Sequence, residues 1–114
     1  MQLTEITHKI RQFRDERDWA QFHNAKDMAI AISIEASELL EHFLWKNPAE
    51  VDARVEAKRS EIEEEIADIA IYLVELTDNL GIDLLAAMDR KLSKNAAKYP
   101  VEKAKGSHAK YTEL

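Results

Sequence analysis

Four carboxylates are the chemistry-bearing residues of this chain. Glu35 and Glu38 are spaced i, i+3, and so are Glu65 and Asp68. On a helix that spacing projects both members of a pair to one side. If two such helices pack antiparallel, the four acids converge across the groove between them. An all-oxygen cluster of this kind suits Mg²⁺, with Mn²⁺ as the second choice, over zinc or copper. Without a cation, four close negative charges cannot all stay ionised. No Lys or Arg stands within one turn of Glu35 or Glu38 on their own segment, so the balancing cation must come from elsewhere. The plain alternative is a solvated acidic face, which Glu61, Glu63 and Glu64 illustrate.

Other side chains give the acids company. Tyr72 lies one turn after Asp68 and two turns after Glu65, on the same side. Trp45 stands two turns beyond Glu38, and Trp19 precedes the same segment. Indole faces beside a metal-bound triphosphate would suit base stacking, although a tryptophan is more often core than ligand. His23 and Lys26 are candidates for phosphate or base contacts. Lys91, Asn95, Lys98 and Tyr99 lie near one another along a later helix and could contribute cations and an amide. His8, His42 and His108 show no convincing ligand spacing.

Helices must position these residues. Ala29, Ile32, Ala36, Leu39, Leu40 and Phe43 recur at helical spacing. At about 100° per residue, Glu35 falls between Met28 and Ala31, on the apolar side. The spacing predicts a first helix over residues 1–18 and a loop from Trp19 to Asn24. A second helix, capped by Asn24, runs to Trp45 or Lys46. Asn47-Pro48 breaks the chain and starts a third helix. That helix stays helical to about Leu80, with a kink near Ala57. Ile62, Ile66, Ile69, Leu73, Leu76 and Leu80 form its stripe, with Ile71 and Val74 well off it. So wide an apolar arc hints at a subunit interface. Gly81 stops the helix, and Asp83 caps a fourth that runs to Lys98 with Leu84, Leu85, Met88 and Leu92 as its buried face. Residues 101–114 read as a polar tail. The expectation is all-α: one domain over residues 1–114, a four-helix bundle that assembles into an oligomer.

Composition excludes several classes. The 114 residues are 46% hydrophobic and 33% charged, with two Gly, two Pro and no Cys. That is a globular make-up, without disulfides or thiolate metal sites. The formal net charge of −6 argues against a protein that grips a nucleic-acid polymer. No apolar run approaches a membrane span and no signal peptide is visible, so a cytoplasmic protein is expected.

An ordered set of motifs then resembles a known family. Arg17-Asp18-Trp19-x-x-Phe22-His23, Glu35-x-x-Glu38-Leu39-x-Glu41-x-Phe43-x-Trp45, Glu64-Glu65-Ile66-Ala67-Asp68-Ile69-x-Ile71-Tyr72-Leu73, Asn95-x-x-Lys98-Tyr99-Pro100 and Lys110-Tyr111-Thr112-Glu113-Leu114 span nearly the whole chain. Together they are similar to the MazG-like all-α nucleoside triphosphate pyrophosphohydrolases, closest to the dCTP pyrophosphatase branch. The resemblance implies hydrolysis of a (d)NTP, dCTP-like, between its α- and β-phosphates, to the monophosphate and pyrophosphate. It implies Mg²⁺ on Glu35, Glu38, Glu65 and Asp68. Base and sugar contacts would fall to Trp19, Phe22, His23, Trp45 and Tyr72, with Lys26 and Asn95 as polar contacts. Family members with an Arg-containing loop before the second helix differ from this chain, which has Asn24-Ala25-Lys26; Lys lacks the fork of Arg. The resemblance also implies a homodimer or homotetramer. Glu38 or Glu41 is the expected base for water. Two rivals stand beside this reading. One is a di-iron carboxylate bundle, which normally needs Glu-x-x-His pairs absent here. The other is a non-catalytic helical oligomerisation or antitoxin-like module.

Overall fold

A computed structural model describes residues 1–114. It contains helices and no strands. Six α-helices follow one another: α1 (Leu3–Glu16), α2 (Ala25–Glu41), α3 (Pro48–Ala57), α4 (Arg59–Asn79), α5 (Leu84–Lys98) and α6 (Val101–Ala104). Short 3₁₀ turns cover Ala20–Phe22 and Tyr111–Glu113. No helix is long and apolar enough to cross a membrane. The chain divides into two compact units, Met1–Gly81 and Ile82–Leu114.

In the first unit α4 is the hub. It packs chiefly against α2 and also against α1 and α3. The caps expected from sequence are in place. The Asn24 side chain accepts from the Asp27 N–H at 2.9 Å, and Asn47 accepts from the Glu50 N–H at 2.9 Å with Pro48 in the first turn. These side chains satisfy amides that a helix start leaves unpaired. The expected kink near Ala57 is a full break at Lys58 (φ −119°, ψ 26°), which closes α3 and opens α4. The long third helix predicted from sequence is therefore two helices.

The second helix also ends earlier than expected, at Glu41. Pro48 requires extended backbone at Asn47 (ψ 170°), so the chain must leave helical geometry before it. It does so through tight turns in which the Phe43 N–H donates to the Leu40 carbonyl and the Lys46 N–H to that of Phe43. Trp45 ends in the left-handed region, with φ 61°.

The buried side of α2 differs from the predicted stripe. Met28 is 1% exposed and His42 is 6% exposed, whereas Leu40 is 60% exposed. The inward line runs through Met28, Ala31, Glu35, Leu39 and His42. Periodicity located an apolar arc but could not say which edge of it meets α4. Only Ile10, Met28 and Ile62 are buried apolar side chains, and only Met28 fully so. An exposed ion pair ties α1 to α4: Arg11 grips both oxygens of Asp78, its Nε at 2.6 Å from Oδ2.

In the second unit, Asp83 caps α5 by accepting from the Ala86 N–H at 3.0 Å. Gly81, at the end of the first unit, takes φ 68° and ends the run of α4. The α5 stripe is not buried: Leu85, Met88 and Leu92 are all more than half exposed. Residues 101–114 are more ordered than a tail. The Tyr111 ring stands edge-on to Tyr99 at 6.0 Å, and the Lys98 ammonium lies 4.8 Å from its centroid.

Candidate functional site

Glu35 of α2 and Asp68 of α4 border one cavity. Glu35 is held above the ordinary carboxylate range, first by burial and then by a hydrogen bond shared with Glu38. The charges of Glu38, Asp68 and Glu65 add to the shift. Each cause favours the protonated form, because none of these neighbours is a cation. Two oxygens are left stranded: Glu35 Oε2 and Glu65 Oε2 are buried and have no hydrogen-bond donor. A buried carboxylate oxygen without a partner is costly. The four side chains do not form a finished cage, since no group of three Asp, Glu or His residues stands ready to close around an ion. The donor set is nonetheless all oxygen, negatively charged and short of donors, and that chemistry fits a hard divalent cation.

Beside Glu65 stands His42, from the turn after α2. Its Nε2 lies 2.7 Å from Glu65 Oε2. The approach is off the N–H direction, so the oxygen still lacks an aligned donor. On the far side of the ring, Arg54 Nε donates to Nδ1 at 3.1 Å. Arginine can only donate, so Nδ1 is bare and the ring proton sits on Nε2, the nitrogen on the Glu65 side. Helix α3 thereby orients the imidazole against the acid cluster.

A cavity of about 480 Å³ opens next to the acids. Glu35 and Asp68 form part of its wall, with Tyr72 and Glu75 further along α4. From α1 come Ile6, Lys9, Ile10, Phe13 and Arg14, and from the following turn Trp19 and His23. Local backbone explains how Trp19 gets there. Asp18 takes a left-handed conformation (φ 55°), and the Trp19 N–H folds back to the Arg14 carbonyl at 3.1 Å. The indole then meets the Phe13 ring edge-on, 5.7 Å between centroids at 75°. His23 Nδ1 lies 2.7 Å from Glu75 Oε2, and Glu75 is only 4% exposed. Burial, with the charges of Glu35, Asp68 and Glu75, pushes the Tyr72 phenol upward, so it stays a neutral O–H donor at ordinary pH.

The residues singled out by sequence divide accordingly. Glu35, Asp68, Tyr72, Trp19 and His23 share the cavity. Glu38 and Glu65 join through their interaction with Glu35. Phe22 is 61% exposed and Trp45 is 93% exposed, and neither lines the cavity, nor does Lys26. Glu41 is the exposed last residue of α2. Lys91, Asn95 and Lys98 belong to α5 in the second unit, where both lysines are exposed and Asn95 is half-buried.

Glu75, Arg54 and Arg14 escaped the sequence reading, and His42 showed no convincing ligand spacing there. Two had a visible signal. The three-and-four spacing that joins Glu65, Asp68 and Tyr72 continues to Glu75, and His42 is two turns beyond Glu35 on the same line. Arg54 and Arg14 had none, because their roles depend on contacts made across helices.

Over residues 30–114 the chain matches the MazG-like family. A dCTP pyrophosphatase 1 from Rattus norvegicus is 38% identical over 114 residues, covering 98% of this chain and 67% of that protein. The dCTP pyrophosphatase 1 of Homo sapiens is 37% identical, with the same coverage. The crystal structure of a pyrophosphatase from Archaeoglobus fulgidus superposes with a TM-score of 0.83 at 44% identity, covering 85% of this chain and 91% of its own. With the acid pairs, the helical order and these similarities in agreement, the chain belongs to the MazG-like family and is a nucleotide pyrophosphohydrolase.

Proposed function

We propose that the substrate is a deoxynucleoside triphosphate of the dCTP type. It is cleaved between the α- and β-phosphates to the monophosphate and pyrophosphate, with Mg²⁺ as the working ion. The observation that carries this reading is the electrostatics of Glu35. Burial, then Glu38, Asp68 and Glu65, push its carboxyl above the ordinary range, and two oxygens in the cluster have no donor. Such a site gains most from a divalent cation.

Glu35, Glu38, Glu65 and Asp68 would hold the ion. When bound it would neutralise charge on the phosphate oxygens and on the departing pyrophosphate. The remaining work belongs to the chain. Trp19, backed by Phe13, offers an aromatic wall for the nucleoside. Tyr72, held neutral, offers an O–H between the acids and the cavity interior. Glu38 is exposed and acts on the Glu35 carboxyl. It is the better placed of the two expected bases to take the proton of the attacking water as the water oxygen bonds to phosphorus. Glu41 lies past it at the helix end.

The chain is further proposed to work as a homodimer or homotetramer. Ile30, Ile34 and Leu40 on α2, with Ile66 and Leu73 on α4, are each at least 40% exposed. With three buried apolar residues in the whole chain, that much open apolar surface points to a covering subunit. Sedimentation at micromolar concentration should give a dimer or tetramer mass.

The decisive experiment is release of pyrophosphate from a panel of dNTPs with Mg²⁺, and again with EDTA. Hydrolysis should require the ion, and dCTP should be among the substrates. Absence of pyrophosphate from every dNTP would end this reading.

A further inference from the structure

The phosphate chemistry leaves one buried charge unexplained. Glu75 is 4% exposed, yet it lines the cavity that Glu35 and Asp68 also border. It is a full helical turn past Tyr72 and takes no part in the set formed by Glu35, Glu38, Glu65 and Asp68. Burying a carboxylate is costly unless its oxygens are partnered. His23 Nδ1 engages Oε2 at 2.7 Å. Arg14 also feels the Glu75 charge, but its Nε donates to Asp15 at 2.8 Å and its Nη1 to Asn79 at 2.9 Å, and it makes no hydrogen bond to Glu75. The second oxygen of Glu75 is thus left to whatever enters the cavity.

The apolar part of the wall discriminates poorly. Trp19, Phe13, Ile6, Ile10 and Ile71 would accept the face of any base, because every base has one. A carboxylate behaves differently. It can only accept hydrogen bonds, and it is held by a histidine rather than by a long flexible side chain. Facing a ring amine it gains a charge-assisted bond. Facing a ring carbonyl it sets two acceptors together with no proton between them.

We propose that Glu75 is the specificity-determining residue of this enzyme. Its free carboxylate oxygen accepts from the 4-amino group of a cytosine base, while His23 fixes the orientation of the carboxylate. Uracil and thymine, which carry a carbonyl at that position, are rejected. The inference rests on the nucleotide reading above and adds to it the group that tells one pyrimidine from another.

The test compares kcat/KM for dCTP, dUTP, dTTP and a deoxynucleoside triphosphate whose pyrimidine ring lacks the 4-amino group, using the full chain with Mg²⁺. The wild-type enzyme should favour dCTP over each of the others by about tenfold or more. In Glu75→Gln, whose amide can donate as well as accept, the dCTP to dUTP ratio should fall to within about threefold of one. The fall should come mainly from a higher KM for dCTP. A wild-type enzyme that hydrolyses the amine-free analogue as well as dCTP overturns the proposal. So does a Glu75→Gln enzyme with an unchanged ratio. The analogue arm uses unaltered protein, so it decides the matter even where the variant does not fold. Hydrolysis without base preference ends this inference alone. No pyrophosphate from any dNTP ends it together with the reading it rests on.

Discussion

Helix α4 meets a histidine at two places, and the contacts are alike in length but not in consequence. His23 reaches Glu75 and His42 reaches Glu65, both at 2.7 Å. At Glu75 the ring and carboxylate form a hydrogen bond, and the wall around them adds aromatic and aliphatic side chains and the Arg14 cation. At Glu65 the approach is off-line and an oxygen stays without a donor. That carboxylate also joins Glu35, Glu38 and Asp68 in one negative field. The lesson concerns what a buried acid is fit for. An acid already held by a partner is stable enough to read a neutral ligand. One left in a crowd of like charges is poised for a cation.

The largest effect should come from removing a member of the crowd. Glu65→Gln is expected to lower kcat/KM by about a hundredfold or more, and to abolish the Mg²⁺-induced rise in melting temperature. Glu75→Gln should keep that Mg²⁺-induced rise. If both variants lose it, the two ends of α4 are not distinct in the way described.

A smaller effect should follow Arg54→Ala. The guanidinium touches no carboxylate of the cluster, but it fixes the ring proton of His42 on the nitrogen facing Glu65. Its loss should weaken Mg²⁺ binding, read by calorimetry, by about tenfold. Unchanged Mg²⁺ affinity would reduce His42 and Arg54 to packing.

Smaller still, Glu35→Gln should stabilise the metal-free protein by a few degrees at neutral pH. The sign follows from the raised pKa of Glu35. The fold holds that proton more tightly than the unfolded chain does. Ionised Glu35 therefore costs stability at neutral pH. That cost is relieved as pH falls through the raised folded value, and is gone below the ordinary carboxylate range. The variant should lose this pH dependence, and with Mg²⁺ present the wild type should regain the lead. Thermal melts from pH 7 down to 4 check both points.

The smallest effect belongs to an ion pair outside both sites. Asp78 is held below its ordinary pKa by its bonds with Arg11 and by that residue's charge. Its contribution is present above the ordinary carboxylate range and is lost as pH falls through the lowered value. Arg11 is half exposed, so Arg11→Ala should barely lower the melting temperature at pH 7, and not at all in strong acid.

The helices were legible because their signals are local. Asn24, Asn47-Pro48, Gly81 and Asp83 announce ends through their own backbone preferences. The acid pairs were legible because three-residue spacing fixes a side of a helix. Two failures have one cause. Leu40 belongs to an apolar stripe yet is exposed, and Leu85 and Leu92 of α5 are open to solvent. Periodicity shows where apolar residues gather but not what covers them.

By itself the sequence determined an all-helical chain, the positions of most helix ends, and two acid pairs each confined to one side of its helix. Those follow from dihedral preferences and from a repeat of about 3.6 residues, which every segment carries within itself. The tertiary structure alone decided that Glu35 would feel Glu38, Asp68 and Glu65 together, that Arg54 would set the proton of His42, and that Glu75 would be buried beside His23. Each of these is an electrostatic contact between groups far apart in the chain. Its strength depends on distance and burial, and neither exists until the helices have packed.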